Sequence, residues 1–172
     1  MKLSSLLSAV NPQAPVSEAA VSSDPEISAV CYRSQAVAPG GLFVAIAGAH
    51  ADGHAYIGDA VARGAAAVVA ERPAAVPVPV VLVPDSRRAL AALAARFHGL
   101  PSERLVVVGI TGTNGKTTTA YLLEHILQQA GFSVGVIGTI AYRFGGQVRK
   151  APVTTPESLD LQALLAEMVR SG

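Results

Sequence analysis

The sequence has no tryptophan, one cysteine and two methionines, and only 15% of its 172 residues are charged. The single cysteine, Cys31, excludes an intramolecular disulfide and reads as a small buried thiol of a reducing compartment. The charges nearly cancel, with 13 basic against 12 acidic side chains, so there is no basic footprint for nucleic acid. No run of about 18 apolar residues occurs, which argues against a membrane-spanning helix and for a cytoplasmic protein. Repeats and low-complexity tails are also lacking. Of the four histidines, His50 and His54 stand four apart, a spacing that suits a metal on a helix. The Asp52-Gly53 pair between them breaks that helix, so no metal pair is expected there.

What remains is an apolar chain, 51% hydrophobic, with 16 glycines and 11 prolines. It can bury a core and does not have the composition of a disordered segment. Leu3, Leu6, Leu7 and Val10 fall on one face of a short amphipathic N-terminal helix, a better fit than a weak signal peptide. Short β-branched runs then alternate with helical patterns, which predicts an α/β fold. Strands are expected at 42–46, 66–70 and 78–83. Asp52 should cap a helix from about Gly53 to Arg63, and Asp85 one running to about Phe97. Glycine, proline and polar residues at 99–103 place a boundary between a small N-terminal α/β domain, 1–100, and a second domain, 101–172.

The second domain opens with Leu105-Val106-Val107-Val108, which reads as a buried parallel strand. Gly109-Ile110-Thr111-Gly112-Thr113-Asn114-Gly115-Lys116-Thr117-Thr118 follows it directly. A helix with Ala120, Leu123, Leu127 and Ala130 at helical spacing comes next, ends at Gly131, and leads to a strand at 133–137. This strand–loop–helix order suits a loop that cradles phosphates. Gly112 and Gly115 allow close approach, backbone N–H groups form an anion nest, and the helix dipole faces the anion. Lys116 would reach the β- and γ-phosphates of ATP, and the Thr117 hydroxyl would bind Mg²⁺. The general pattern G-x-x-x-x-G-K-[ST] has its first glycine where this chain has Ile110, so the loop is a variant. Tyr142 to Val148 should form a hairpin turning at Gly145-Gly146. Thr154-Thr155-Pro156-Glu157 should open a last helix with Leu161, Leu164, Leu165 and Met168 along one stripe. Thr154 and Glu157 fit a capping box, and Thr155 fits an N-cap before Pro156. Two strands in the second domain are few for a nucleotide-binding sheet, and further strands are expected beyond residue 172 in a longer protein.

The loop Thr111-Gly112-Thr113-Asn114-Gly115-Lys116-Thr117-Thr118 resembles the ATP loop of the Mur ligases, which build the peptide of bacterial cell walls. Residues 33–46, Gly48-Ala49-His50-Ala51-Asp52-Gly53-His54 and Gly64-Ala65-Ala66 resemble that family's N-terminal uridine-binding domain. Thr154-Thr155-Pro156-Glu157 with Leu161-Gln162, after Gly138-Thr139-Ile140 and Gly145-Gly146, is similar to the members that add the third amino acid. A rival within the family adds D-Ala-D-Ala, and a rival outside its chemistry is a nucleotide-binding module without ligase activity.

The resemblance implies a P-loop NTPase-like central domain with a mainly parallel sheet, of which 101–172 is the beginning. It implies a cytoplasmic, monomeric ligase that takes ATP, Mg²⁺, UDP-MurNAc-L-Ala-D-Glu and an amino acid, and proceeds through an acyl phosphate. Gly112, Thr113, Asn114, Gly115, Lys116, Thr117 and Thr118 would hold the nucleotide, with Lys116 acting in catalysis, Thr117 on the metal and Thr118 donating to a nearer phosphate. Tyr32, Ser34, Ala49, His50 and Ala51 would contact the uridine end, and Thr154 and Thr155 the muramoyl-peptide portion. Where the family often has Asp-Ser-Arg this chain has Arg33-Ser34-Gln35, so only Ser34 carries over. Residues 1–172 alone are expected to lack ligase activity.

Overall fold

Four short strands pair in parallel in the order β1-β2-β3-β4, formed by Ala29–Cys31, Gly41–Val44, Ala65–Ala70 and Val80–Leu82. The computed structural model describes residues 1–10, 24–48 and 51–172. The chain divides into two compact units, Met1–Gly99 and Leu100–Gly172.

In the first unit the central strands are covered on both faces, as parallel strands require. All four residues of β2 are buried, and so are five of the six in β3. Phe43 and Ala45 face a cluster with Cys31, Val37, Ile57, Ala60 and Val68. Alternation along the strand turns Leu42 and Val44 to the opposite face. Between β2 and β3 the chain makes a 3₁₀ turn, Gly53–Tyr56, and a short helix α2, Ile57–Ala62. The expected single helix over this stretch is thus split, with Asp52 capping the 3₁₀ turn through its bond from His54 N. After β4, α3 spans Ser86–Phe97; Asp85 caps it by accepting from Arg88 N at 2.8 Å. It buries Leu90 and Leu93 and packs on β1 and β3. The N-terminal helix α1, Leu3–Leu7, packs against α3 with Leu3 and Leu6 buried. Strand β1 was not legible: three residues between Ser28 and Tyr32 are too few to display a period.

The second unit contains a 3₁₀ turn, Pro101–Arg104, then α4 (Lys116–Gln129), β5 (Val136–Ile137), β6 (Ala141–Phe144), β7 (Gln147–Lys150) and α5 (Ser158–Ser171). Its three strands pair antiparallel in the order β5-β6-β7. The β6–β7 hairpin turns at Gly145-Gly146, with φ of 56° and 74°. Positive φ at both central residues is what a right-twisted two-residue hairpin demands, hence the glycine pair. Helix α4 ends as expected at Gly131. The Gly131 and Phe132 N–H groups donate to the carbonyls of Gln128 and Leu127, which closes the last turn.

Three expectations for this unit are corrected. Residues 105–108 form no strand, and Val106, Val107 and Val108 are 95%, 58% and 60% exposed. A strand exists only through its neighbours, and among the described residues none pairs with this run. The strand expected at 133–137 shrinks to two residues, and its partner is β6. Finally, α5 begins at Ser158, after Thr154 and Thr155, and Glu157 caps it by accepting from Ser158 N. Proline disfavours the helical region for the residue before it, so Thr155 is pushed out of the helix and the start moves beyond Pro156. The α/β character of the fold is borne out.

Candidate functional site

Adjacent parallel strands point their carboxyl ends to one edge of a sheet, where open α/β sheets collect their ligand-binding loops. In the first unit Tyr32 and Ser34 follow β1, the segment at 48–54 follows β2, and Glu71 and Arg72 follow β3. Of the candidate uridine residues, Tyr32, Ser34 and Ala51 therefore come from loops on this one edge. Ala49 and His50 lie outside the described residues, and Ala51 is exposed.

Tyr32 is half-buried, and its hydroxyl accepts from Arg33 Nη2 at 3.0 Å. Ser34 begins a 3₁₀ turn, Ser34–Ala36, and is only 3% exposed. Its Oγ completes no hydrogen bond of good geometry, although most buried polar atoms have a partner. It lies beside the Asp59 carboxyl and is the first cause holding that group below the usual carboxylate range, ahead of Arg63. The Ser34 hydroxyl is thus directed at Asp59 from a buried position at the start of the turn.

The same edge carries a polar network that the sequence reading missed. His54 Nδ1 is 2.6 Å from Asp52 Oδ1, and His54 Nε2 accepts from the Glu71 N–H at 3.0 Å. The ring therefore donates at Nδ1 and accepts at Nε2. Arg72 pairs with the other oxygen of Asp52. Glu71 Oε1 in turn accepts from the N–H and hydroxyl of Ser86 at the start of α3. The network ties together the loops after β2, β3 and β4. Only Asp52-Gly53-His54 signalled it locally; its other members are distant in sequence.

The His54 N–H, the His54 ring and Arg72, in that order, hold the Asp52 carboxyl at about 2, below its ordinary 3.8. A folded value below the unfolded one means that this stabilisation is fully present above about pH 3.8. It is lost as pH falls through about 2. The melting temperature should fall over that window, and Asp52→Asn should flatten part of the fall. An unchanged acid limb in thermal melts of D52N would rule out this contribution.

In the second unit the loop 109–115 runs into α4. Gly115 sits immediately before Lys116 with φ 79° and ψ −8°, and Gly112 has φ 146°. These positive-φ values are open to glycine at little cost. Thr113, Asn114, Lys116, Thr117 and Thr118 are all exposed. Lys116 folds back across the loop, with Nζ donating to the Gly112 carbonyl at 2.5 Å. No side chain caps α4, so the N–H groups of its first turn point outward unblocked. Thr117 stands on that turn. Thr154 and Thr155 are exposed and lie between β7 and α5. Among the described residues no group of three or more His, Cys, Asp or Glu side chains could hold a metal ion, and no helix is long and apolar enough to cross a membrane.

A loop of this geometry next to an apolar run is common to many nucleotide-binding proteins; comparison with known proteins narrows it. The family model described as the Mur ligase middle domain matches residues 110–172, and that of the Mur ligase family, catalytic domain, matches residues 26–98. The chain belongs to the Mur ligase family. The UDP-N-acetylmuramoyl-L-alanyl-D-glutamate--2,6-diaminopimelate ligase of Geobacillus thermodenitrificans is 50% identical over 149 residues, which cover 87% of this chain and 30% of that protein. The ligase of the same name from Geobacter metallireducens is 47% identical over 174 aligned positions, covering 100% of this chain and 33% of the relative. A solved UDP-N-acetylmuramoyl-L-alanyl-D-glutamate--2,6-diaminopimelate ligase shares the fold, with a TM-score of 0.71 at 23% identity over 100% of this chain and 34% of its own. The chain thus spans about a third of the length of the curated relatives it matches.

Proposed function

We propose that the protein, at full length, is an ATP-dependent ligase that joins a third amino acid to UDP-MurNAc-L-Ala-D-Glu in the cytoplasm. The observation that carries this reading is the loop before α4, with Lys116 drawn back over an unblocked helix N-terminus. The names of the relatives above support the choice of sugar nucleotide.

The first unit is assigned to the UDP end of the substrate. Tyr32 and Ser34 supply contacts at the carboxyl edge, and Ala49, His50 and Ala51 are assigned to the same end of the substrate. The second unit is assigned to ATP. The N–H groups of Gly112 to Gly115 and of the first turn of α4 receive the phosphates, and Thr118 donates to one of them. Lys116 neutralises charge on the γ-phosphoryl group as it passes to the D-glutamate carboxylate, which releases ADP. The incoming amine then attacks the acyl phosphate, forms the amide and expels inorganic phosphate. Such transfers depend mainly on positioning and charge neutralisation. The exposed Thr117 hydroxyl, on the first turn, fits the hard-oxygen preference of Mg²⁺. Magnesium bound there adds positive charge against the phosphates.

Thr154 and Thr155 are assigned to the muramoyl-peptide portion. With the capping role taken by Glu157, their hydroxyls are left for substrate. Alanine at both positions of the full-length protein should raise the KM for UDP-MurNAc-dipeptide about tenfold or more and leave that for ATP little changed, as loss of two hydrogen bonds implies. An unchanged sugar-nucleotide KM would refute this assignment. Assays of the dipeptide and tripeptide sugar nucleotides side by side test the substrate itself: turnover of the tripeptide form with D-Ala-D-Ala would transfer the protein to the other branch of the family.

A further inference from the structure

Strand β6 joins the two halves of the proposed ATP and muramoyl site. Successive side chains of a strand point to opposite faces, and here both faces are in use. On one face Arg143 binds Glu124 of α4, with Nε donating to Oε1 at 3.1 Å and Nη2 to Oε2. Its guanidinium also lies 4.1 Å from the centre of the Tyr121 ring. Both members of the ion pair are mostly shielded from solvent, so their geometry is held more firmly than that of a surface pair. The helix gripped in this way is the one that begins at Lys116.

On the other face Tyr142 is 5% exposed, and its hydroxyl donates to the Val153 carbonyl at 3.0 Å. Val153 directly precedes Thr154 and Thr155. Two residues earlier, the Ala151 N–H donates to the Ile140 carbonyl at 3.3 Å, just before β6. The segment leading to the threonine pair is therefore fastened at two points, to β6 and to the residue just before it. One of them is a single buried hydroxyl that no element of secondary structure requires.

We infer that Tyr142 is a positioning residue for the sugar-nucleotide substrate: its hydroxyl fixes the Val153 carbonyl and thereby sets where Thr154 and Thr155 stand relative to the phosphate-loop helix that Arg143 anchors. The inference rests on the assignment of Thr154 and Thr155 to the muramoyl-peptide portion. Hydroxyls that contact a substrate contribute binding only when the backbone carrying them is held in place, and the bond to Val153 supplies that hold.

Tyr142→Phe in the full-length protein is the test, because the ring still fills its buried space and only the hydroxyl is lost. The expected result is a rise of about five- to tenfold in the KM for UDP-MurNAc-dipeptide, in line with one hydrogen bond. The KM for ATP should stay within about twofold, and the melting temperature should fall by only a few degrees, as the loss of one hydrogen bond implies. A merely structural tyrosine would lower the melting temperature to the same extent but would not split the two KM values. Equal rises in both KM values, or no rise in either, would overturn the proposal. The Thr154→Ala/Thr155→Ala protein is assayed in parallel. If it shows the sugar-nucleotide defect and Tyr142→Phe does not, the positioning role fails while the site assignment stands. If the threonine pair itself shows no defect, the assignment fails and the positioning role falls with it.

Discussion

Lys116→Ala in the full-length protein is expected to abolish ATP-dependent ligation while leaving the fold intact. The side chain is exposed, and its ammonium has one hydrogen bond, to a carbonyl of its own loop. The backbone at this position is the first residue of α4, where alanine is the best helix former. Stability should therefore change little. The chemistry should change greatly, because removal of one preorganised positive donor from a site of developing phosphate charge costs about 10²-fold or more in kcat. The measurement is ADP and phosphate release in the presence of UDP-MurNAc-dipeptide and the amino acid, with a thermal melt as control. Wild-type turnover by K116A would remove the loop from the mechanism. Loss of turnover together with a collapsed melt would mean that Lys116 supports the fold instead.

The sequence signals that succeeded were local ones. Asp85 caps α3 and Asp52 caps the 3₁₀ turn because an aspartate one step before a helix reaches N–H groups two or three residues on. Gly145-Gly146 made the hairpin legible because both turn residues need positive φ. The glycines of the loop before α4 were legible for the same reason, since Gly112 and Gly115 both take positive φ. Contacts between distant segments left no such record. The His54 network draws on positions 52, 54, 71, 72 and 86, and no window of sequence holds them all. The bond from Tyr142 to Val153 was invisible in the same way.

The run at 105–108 failed in the opposite direction. Its composition is that of a buried strand, but burial is conferred by neighbours, and Val106 to Val108 are open to solvent in this chain. The outer face of α4 tells the same story: Tyr121, Leu122 and Ile126 are exposed although the stripe at Ala120, Leu123 and Leu127 is half-buried. Exposed apolar side chains in such runs are available for contact with another surface.

Phe43→Ala is expected to be the most destabilising single change in the first unit. Phe43 is 1% exposed in β2, pairs with Cys31 on one side and Val68 on the other, and faces Val37, Ile57 and Ala60. Its neighbours belong to β1, β3, α2 and, through Val37, the loop after the Ser34–Ala36 turn, so they cannot all collapse into the space a phenyl ring leaves without breaking the sheet register. Truncation of a phenylalanine in such a core costs about 3–5 kcal/mol, a large part of the ~5–15 kcal/mol that holds a typical domain folded. For a unit of this size the melting temperature should drop by on the order of 20 °C. Val148→Ala, at a strand position 72% exposed in β7, is the matched control and should stay within about 0.5 kcal/mol of wild type. Tyr32 and Ser34 follow directly on the strand that Phe43 supports. Sugar-nucleotide binding by F43A should therefore fail at temperatures where the wild-type protein still binds. If F43A melts within a few degrees of wild type, the packing described for β2 is wrong, and with it the basis for placing the uridine contacts at the carboxyl edge of this sheet.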